Sequence, residues 1–150
     1  MLLHASRLKG FHAAITLGNA PTVDILVSSH DGAATVALQV KTTKFAVRTQ
    51  GRGDEKKPYQ YQWAVGKRSA HTPAREDLIY AFVDLRNFAE VPDIFFVPSS
   101  VVTDWCSKSE REFEAKGKEW KWYRMHVCVE TFEPHKNNWE LLRRKLAGQN

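Results

Sequence analysis

Val23-Asp24-Ile25-Leu26-Val27, a turn signal at Asp31-Gly32, and Thr35-Val36-Ala37-Leu38-Gln39-Val40-Lys41-Thr42 decide how this chain folds. The first run is short and mostly β-branched and reads as a buried strand. The second alternates. Val36, Leu38 and Val40 share one face, and Ala37, Gln39 and Lys41 share the other. Asp-Gly between two such runs predicts a hairpin. Within it, Asp24 stands in an apolar strand, where an ionised carboxylate is costly unless something compensates it. A metal ion or the Lys41 ammonium would supply that compensation.

Outward from the hairpin, Leu8, Phe11 and Ile15 recur at helical spacing before Gly18-Asn19, predicting a helix over roughly 2–17. Residues 48–58 are polar and glycine-rich and end in a proline, which predicts a mobile surface loop. Tyr59–Val65 reads as a strand and 69–77 as irregular chain. Leu78–Leu85 and Asp93–Val97 are almost continuously apolar, as suits strands covered on both faces. Pro98-Ser99-Ser100 precedes a helix over 101–116 that ends at Gly117. Residues 122–129 alternate as a strand. Pro134 is expected in the first turn of a last helix that aligns Trp139, Leu142 and Leu146. The order of elements predicts an α/β (α+β) domain spanning 1–150, a mixed β-sheet flanked by helices.

With 150 residues, 43% of them hydrophobic, the chain can bury a core without staples. No apolar run approaches the roughly 18–20 residues of a membrane helix, and no membrane association is expected. Cys106 and Cys128 form no CxxC pair, so neither a disulfide framework nor a cysteine zinc site organises the fold. With no secretion signal at the start, a cytoplasmic setting is expected. The six histidines show no metal-ligand spacing, and Gly51-Arg52-Gly53 lacks the strand-to-helix context of a phosphate loop.

Charge is distributed unevenly. The chain has 22 basic and 17 acidic residues, a net +5. Between Lys41 and Arg68 stand Lys41, Lys44, Arg48, Arg52, Lys56, Lys57, Lys67 and Arg68, against only Asp54 and Glu55. That local excess exceeds the net charge of the whole chain, and it begins at Lys41. Lys44, Arg48, Arg52, Lys56, Lys57, Lys67 and Arg68 are therefore the candidate nucleic-acid contacts. The interleaved Tyr59, Tyr61 and Trp63 are either base-stacking residues or core.

Pro21-Thr22-Val23-Asp24, followed by Gln39-Val40-Lys41 at the end of a second strand, resembles the PD-(D/E)xK nuclease superfamily. That superfamily includes many restriction enzymes, Holliday-junction resolvases and RecB-like nucleases. Gln39 stands where the usual pattern has Glu. The Gln-Val-Lys-Thr-Thr ending, Phe82-Val83-Asp84-Leu85 and Asp93–Ser99 are similar to an uncharacterised bacterial branch. The resemblance implies a restriction-endonuclease-like fold and hydrolysis of DNA phosphodiester bonds assisted by Mg²⁺ or Mn²⁺. It implies Asp24, Gln39 and Lys41 as catalytic residues, with Asp24, the Gln39 side-chain oxygen and the Val40 carbonyl as metal ligands. It is also compatible with a homodimer.

Two departures bear on activity. Gln39 carries no charge, and the first 23 residues contain no acid, so the carboxylate that relatives often draw from a first helix is missing. Asp31 and Glu55 are the nearest substitutes. A catalytically decayed nucleic-acid-binding or protein-interaction module is the alternative function. A plain cross-strand ion pair between Asp24 and Lys41 is the structural alternative for the site.

Overall fold

The computed structural model describes residues 10–17, 22–86, 90–121 and 123–148. Its main sheet has five strands: β1 (His12–Ile15), β2 (Ile25–Ser28), β3 (Thr35–Thr43), β6 (Leu78–Asp84) and β7 (Asp93–Pro98). They lie side by side in that order. The expected hairpin forms, with Ile25 opposite Leu38 and Val27 opposite Val36. Asp31 shapes its turn. Its carboxylate accepts from the Ser29 hydroxyl at 2.6 Å and the Ala33 amide at 3.1 Å. β3 then pairs in parallel with β6, and β6 pairs antiparallel with β7, so the sheet is mixed.

The long connection between β3 and β6 carries β4 (Val47–Gln50), β5 (Lys57–Ala64) and α1 (Lys67–Ala70). With β8 (Arg124–Cys128), β4 and β5 make a second sheet in the order β4-β5-β8. The stretch predicted as a mobile loop over 48–58 is therefore largely the end of β4, a turn and the start of β5. Its polar sequence agrees with its surroundings, since every residue of 48–58 is exposed; backbone pairing between β4 and β5, not burial of an apolar face, gives it regular structure.

Each face of the main sheet has its own core. On one side Ala37, Leu78, Tyr80, Phe82, Phe95 and Val97 pack against the second sheet (Tyr61, Trp63, Met125, Val127) and against Phe132. The helix α2 (Ser99–Glu114) adds Val102 and Cys106 to this core. On the other side Ile25, Val27, Leu38, Ile79 and Phe96 meet Leu141, Leu142 and Leu146 of α4 (Trp139–Leu146). All seven residues of β6 are buried, the apolar run Leu78–Val83 as its sequence predicts and Asp84 with Arg86 as its partner. A short α3 (Val129–Phe132) delivers Phe132 into the aromatic cluster around Trp63, with ring centroids 5.0 Å apart. No helix among the described residues is long and apolar enough to cross a membrane.

Two helix predictions need correction. Over 10–17 the chain is not helical, since β1 occupies His12–Ile15 and pairs antiparallel with β2. The helical register fails because Phe11 is buried while Ile15 is 60% exposed, so the two do not share a face. Gly10, at φ 81°, has a backbone no helix contains. The rest of that predicted helix lies outside the described residues. The last helix starts at Trp139, not at Pro134. Pro134 lies in a 3₁₀ turn (Glu133–His135), and Asn138 caps α4 by accepting from the Leu141 amide at 3.3 Å.

Candidate functional site

Asp24 is held by its own backbone before its side chain acts. Its N–H donates to the Leu38 carbonyl at 2.8 Å, and its carbonyl accepts from the Thr16 N–H at 3.0 Å. The Thr16 hydroxyl adds a bond to the Val23 carbonyl at 2.6 Å. The end of β1 and the middle of β3 thus bracket Asp24 at the entry to β2. Ile25 and Val27 face the α4 side, so alternation turns Asp24 to the opposite side, shared with Gln39 and Lys41.

There the side chains converge. Asp24 Oδ2 accepts from Gln39 Nε2 at 2.6 Å and from the Val40 N–H at 2.7 Å. In an extended strand a residue's N–H and C=O point the same way, so the Val40 carbonyl opens toward Asp24 as well. Gln39 is 7% exposed, and its Oε1 is buried without a hydrogen-bond partner among the described residues. A buried amide oxygen with no donor is costly, and it marks where a cation or a water would be accepted. Lys41 lies half-buried two residues on. Burial pushes its ammonium below the ordinary lysine range, and the charge of Asp24 opposes that shift. No ion pair within 4.0 Å joins Lys41 to Asp24; among the described residues the close ion pairs lie elsewhere.

These groups suit a small hard cation in type. A carboxylate, an orphaned amide oxygen and a backbone carbonyl are the oxygen ligands that Mg²⁺ takes together with several waters. Their charge is sparse. Among the described residues no group of three or more His, Cys, Asp or Glu side chains is placed to hold a metal. Asp31 and Glu55 do not fill the gap, because each sits in a hairpin turn away from Asp24. Asp84 is buried on the same face as Lys41, but the Arg86 guanidinium takes one of its oxygens at 2.5 Å and the Arg86 N–H takes the other at 3.1 Å.

The basic stretch is spread along the second hairpin. Arg48 is on β4, Arg52 and Lys56 are in the turn, and Lys57 opens β5. Lys67 and Arg68 lie beyond the other end of β5, on α1. Lys44 stands in the link from β3 to β4. Tyr61 and Trp63 are core, 4% and 1% exposed, so neither offers a face to a base. The Tyr61 hydroxyl donates to Glu133 at 2.7 Å, and burial is the main cause holding its proton on well above the usual tyrosine range.

The aromatic that sequence reasoning missed is Phe45, 75% exposed directly after Lys44. It lies outside any strand pattern, and only its position between the two sheets distinguishes it. No protein-family model, curated protein or solved structure matches this chain.

Proposed function

We propose that this protein is a metal-dependent nuclease acting on DNA, with its site at Asp24, Gln39, Val40 and Lys41. The observation that carries this reading is the convergence of Asp24 Oδ2 on Gln39 and Val40 beside a buried, unpartnered Gln39 Oε1. A structural ion pair would not require that arrangement. Asp24, Gln39 Oε1 and the Val40 carbonyl would hold Mg²⁺ or Mn²⁺. When bound, the ion polarises the scissile phosphate and lowers the pKa of an attacking water. Lys41 offsets developing phosphate charge. With burial favouring its neutral form, it is also suited to take a proton from water. Gln39 orients Asp24 through its amide N–H.

The single carboxylate favours one competing reading, a nucleic-acid-binding module on the same fold that no longer cuts. The test is cleavage of linear, nicked and branched DNA with Mg²⁺ or Mn²⁺, beside Lys41→Ala. Metal-dependent cleavage lost in Lys41→Ala supports the enzyme. Cleavage that survives the substitution refutes the mechanism, and salt-sensitive binding without cleavage by the unmodified protein supports the module.

A further inference from the structure

The inner face of the second sheet sends Tyr61, Trp63, Met125 and Val127 into the core. Alternation therefore turns Arg48, Gln60, Gln62, Arg124 and His126 to the outer face. Sequence grouped Arg48 with the basic stretch. Only the pairing of β5 with β8 brings Arg124 and His126 beside it, with Gln62 opposite His126 and Ala64 opposite Arg124. None of the three strands contains an Asp or Glu. Glu119 borders the Arg124 end, beside Lys121. The amides are tied into the face. Arg48 Nη1 donates to Gln62 Oε1 at 3.3 Å, and His126 Nδ1 lies 3.0 Å from Gln60 Oε1. Burial, then the charges of Arg48 and Arg124, hold His126 below its ordinary pKa, as expected where cations gather.

Phe45 stands at the edge of this face. Its carbonyl accepts from Gln62 Nε2 at 3.0 Å, and its N–H donates to Thr43 Oγ1 at 3.1 Å. The backbone is pinned from both sheets while the ring is left in water. Phe45 stands in the short link that leads from β3, which carries Lys41, into β4, which carries Arg48.

We propose that this outer face, built on strands without acids and with Phe45 at its rim, binds a single-stranded segment of DNA. Arg48 and Arg124 neutralise phosphates, Gln60, Gln62 and His126 supply hydrogen bonds, and Phe45 stacks on an unpaired base. Arg48 and Arg124 are two strand spacings and four residues apart, roughly 10 Å by 13 Å, which is the scale of a few nucleotides. A base inside a duplex has no free face for the ring, so stacking selects a single strand. This inference rests on the nucleic-acid reading above and names the surface and the form of the substrate.

The test is fluorescence anisotropy with a labelled oligothymidylate and a duplex of equal length, both in EDTA so that cleavage does not interfere. Tighter binding of the single strand is expected. Phe45→Ala, and separately Arg48→Gln with Arg124→Gln, should each weaken it about tenfold, a loss within the range for one stacked base. Arg143→Gln with Arg144→Gln, on α4 across the main sheet, should leave it unchanged. Equal loss in that control pair overturns the proposal, as does wild-type affinity in the face variants.

A readout on the unmodified protein guards against misfolded variants. Cys128 is exposed on the same face, opposite Gln60, whereas Cys106 is buried and its thiol is pushed up to about 11 by that burial. Bound oligothymidylate should slow the reaction of Cys128 with an aromatic disulfide reagent, and an unchanged rate overturns the proposal. Single-strand binding here without cleavage by any metal refutes the nuclease and leaves this surface standing. Cleavage with unchanged binding in the face variants does the reverse.

Discussion

Replacing Gln39 by glutamate restores the second carboxylate and thereby tests the geometry of the candidate site. In the native chain Gln39 Nε2 donates to Asp24 Oδ2 at 2.6 Å, with Gln39 only 7% exposed. The Gln39→Glu variant sets two carboxylates together. Even relaxed to a separation of about 4 Å, at an effective dielectric of about 20, they repel by about 4 kcal/mol. A repulsion of that size lifts the proton affinity of the pair by about three pH units, so the pair titrates near neutrality in the folded protein.

The folded pKa is then raised above the unfolded glutamate value of about 4.3. Stability relative to the native chain is intact below about pH 4 and is lost as pH rises toward about 7. At about 2–4 °C per kcal/mol for a chain of this size, the melting temperature at about pH 8 in EDTA should fall by roughly 8–16 °C. A divalent cation held by both carboxylates should restore it as concentration increases. Thermal melts of Gln39→Glu and the native protein across pH, in EDTA and in MgCl₂, read both effects. Matching melts at every pH, with no response to Mg²⁺, would refute the contact between Gln39 and Asp24 and the assignment of a cation to it.

Three further outcomes follow from particular contacts. Asp24→Ala leaves Gln39 Nε2 and the Val40 N–H without their acceptor. It should cost about 2–4 kcal/mol in urea unfolding, whereas Asp24→Asn, which keeps a carbonyl oxygen, should cost less. Lys41 has a folded pKa below its unfolded value, so the unfolded chain holds more protons on the alkaline side and stability rises with pH there. Lys41→Met should flatten that rise on the acid side of the ordinary lysine pKa of about 10.4, and an unchanged slope would contradict the burial of the ammonium. Trp63→Ala empties the centre of the aromatic cluster and should cost about 3–5 kcal/mol. Trp63→Phe should cost far less, because the buried indole Nε1 has no partner among the described residues to lose; equal losses in thermal melts would contradict that packing.

Much of the site is legible in the sequence because side-chain alternation is a local property. Thr35–Thr42 alone puts Gln39 and Lys41 on one face, and the Asp31-Gly32 turn puts Asp24 opposite them. The apolar run Leu78–Val83 of β6 likewise announces burial on both sides. Local pattern fails where a residue's state depends on a distant partner. His12–Ile15 has no strand signature of its own, and β2 makes it a strand by pairing with it. Residues 48–58 read as loop because all of them are exposed and polar or turn-forming, and only the ladder between β4 and β5 makes their ends strands.

Residue order was enough to specify the hairpin, the two central strands, and the shared face of Gln39 and Lys41. Packing in three dimensions settled that Gln39 gives its N–H to Asp24 and keeps a buried, unpartnered oxygen. It also settled that Asp24 and Lys41 are not a close ion pair, and that Arg124 and His126 join Arg48 on one face. Alternation along a strand is set by neighbouring residues, whereas strand pairing is set by burying apolar faces far apart in sequence. Only that pairing fixes which polar atoms find partners.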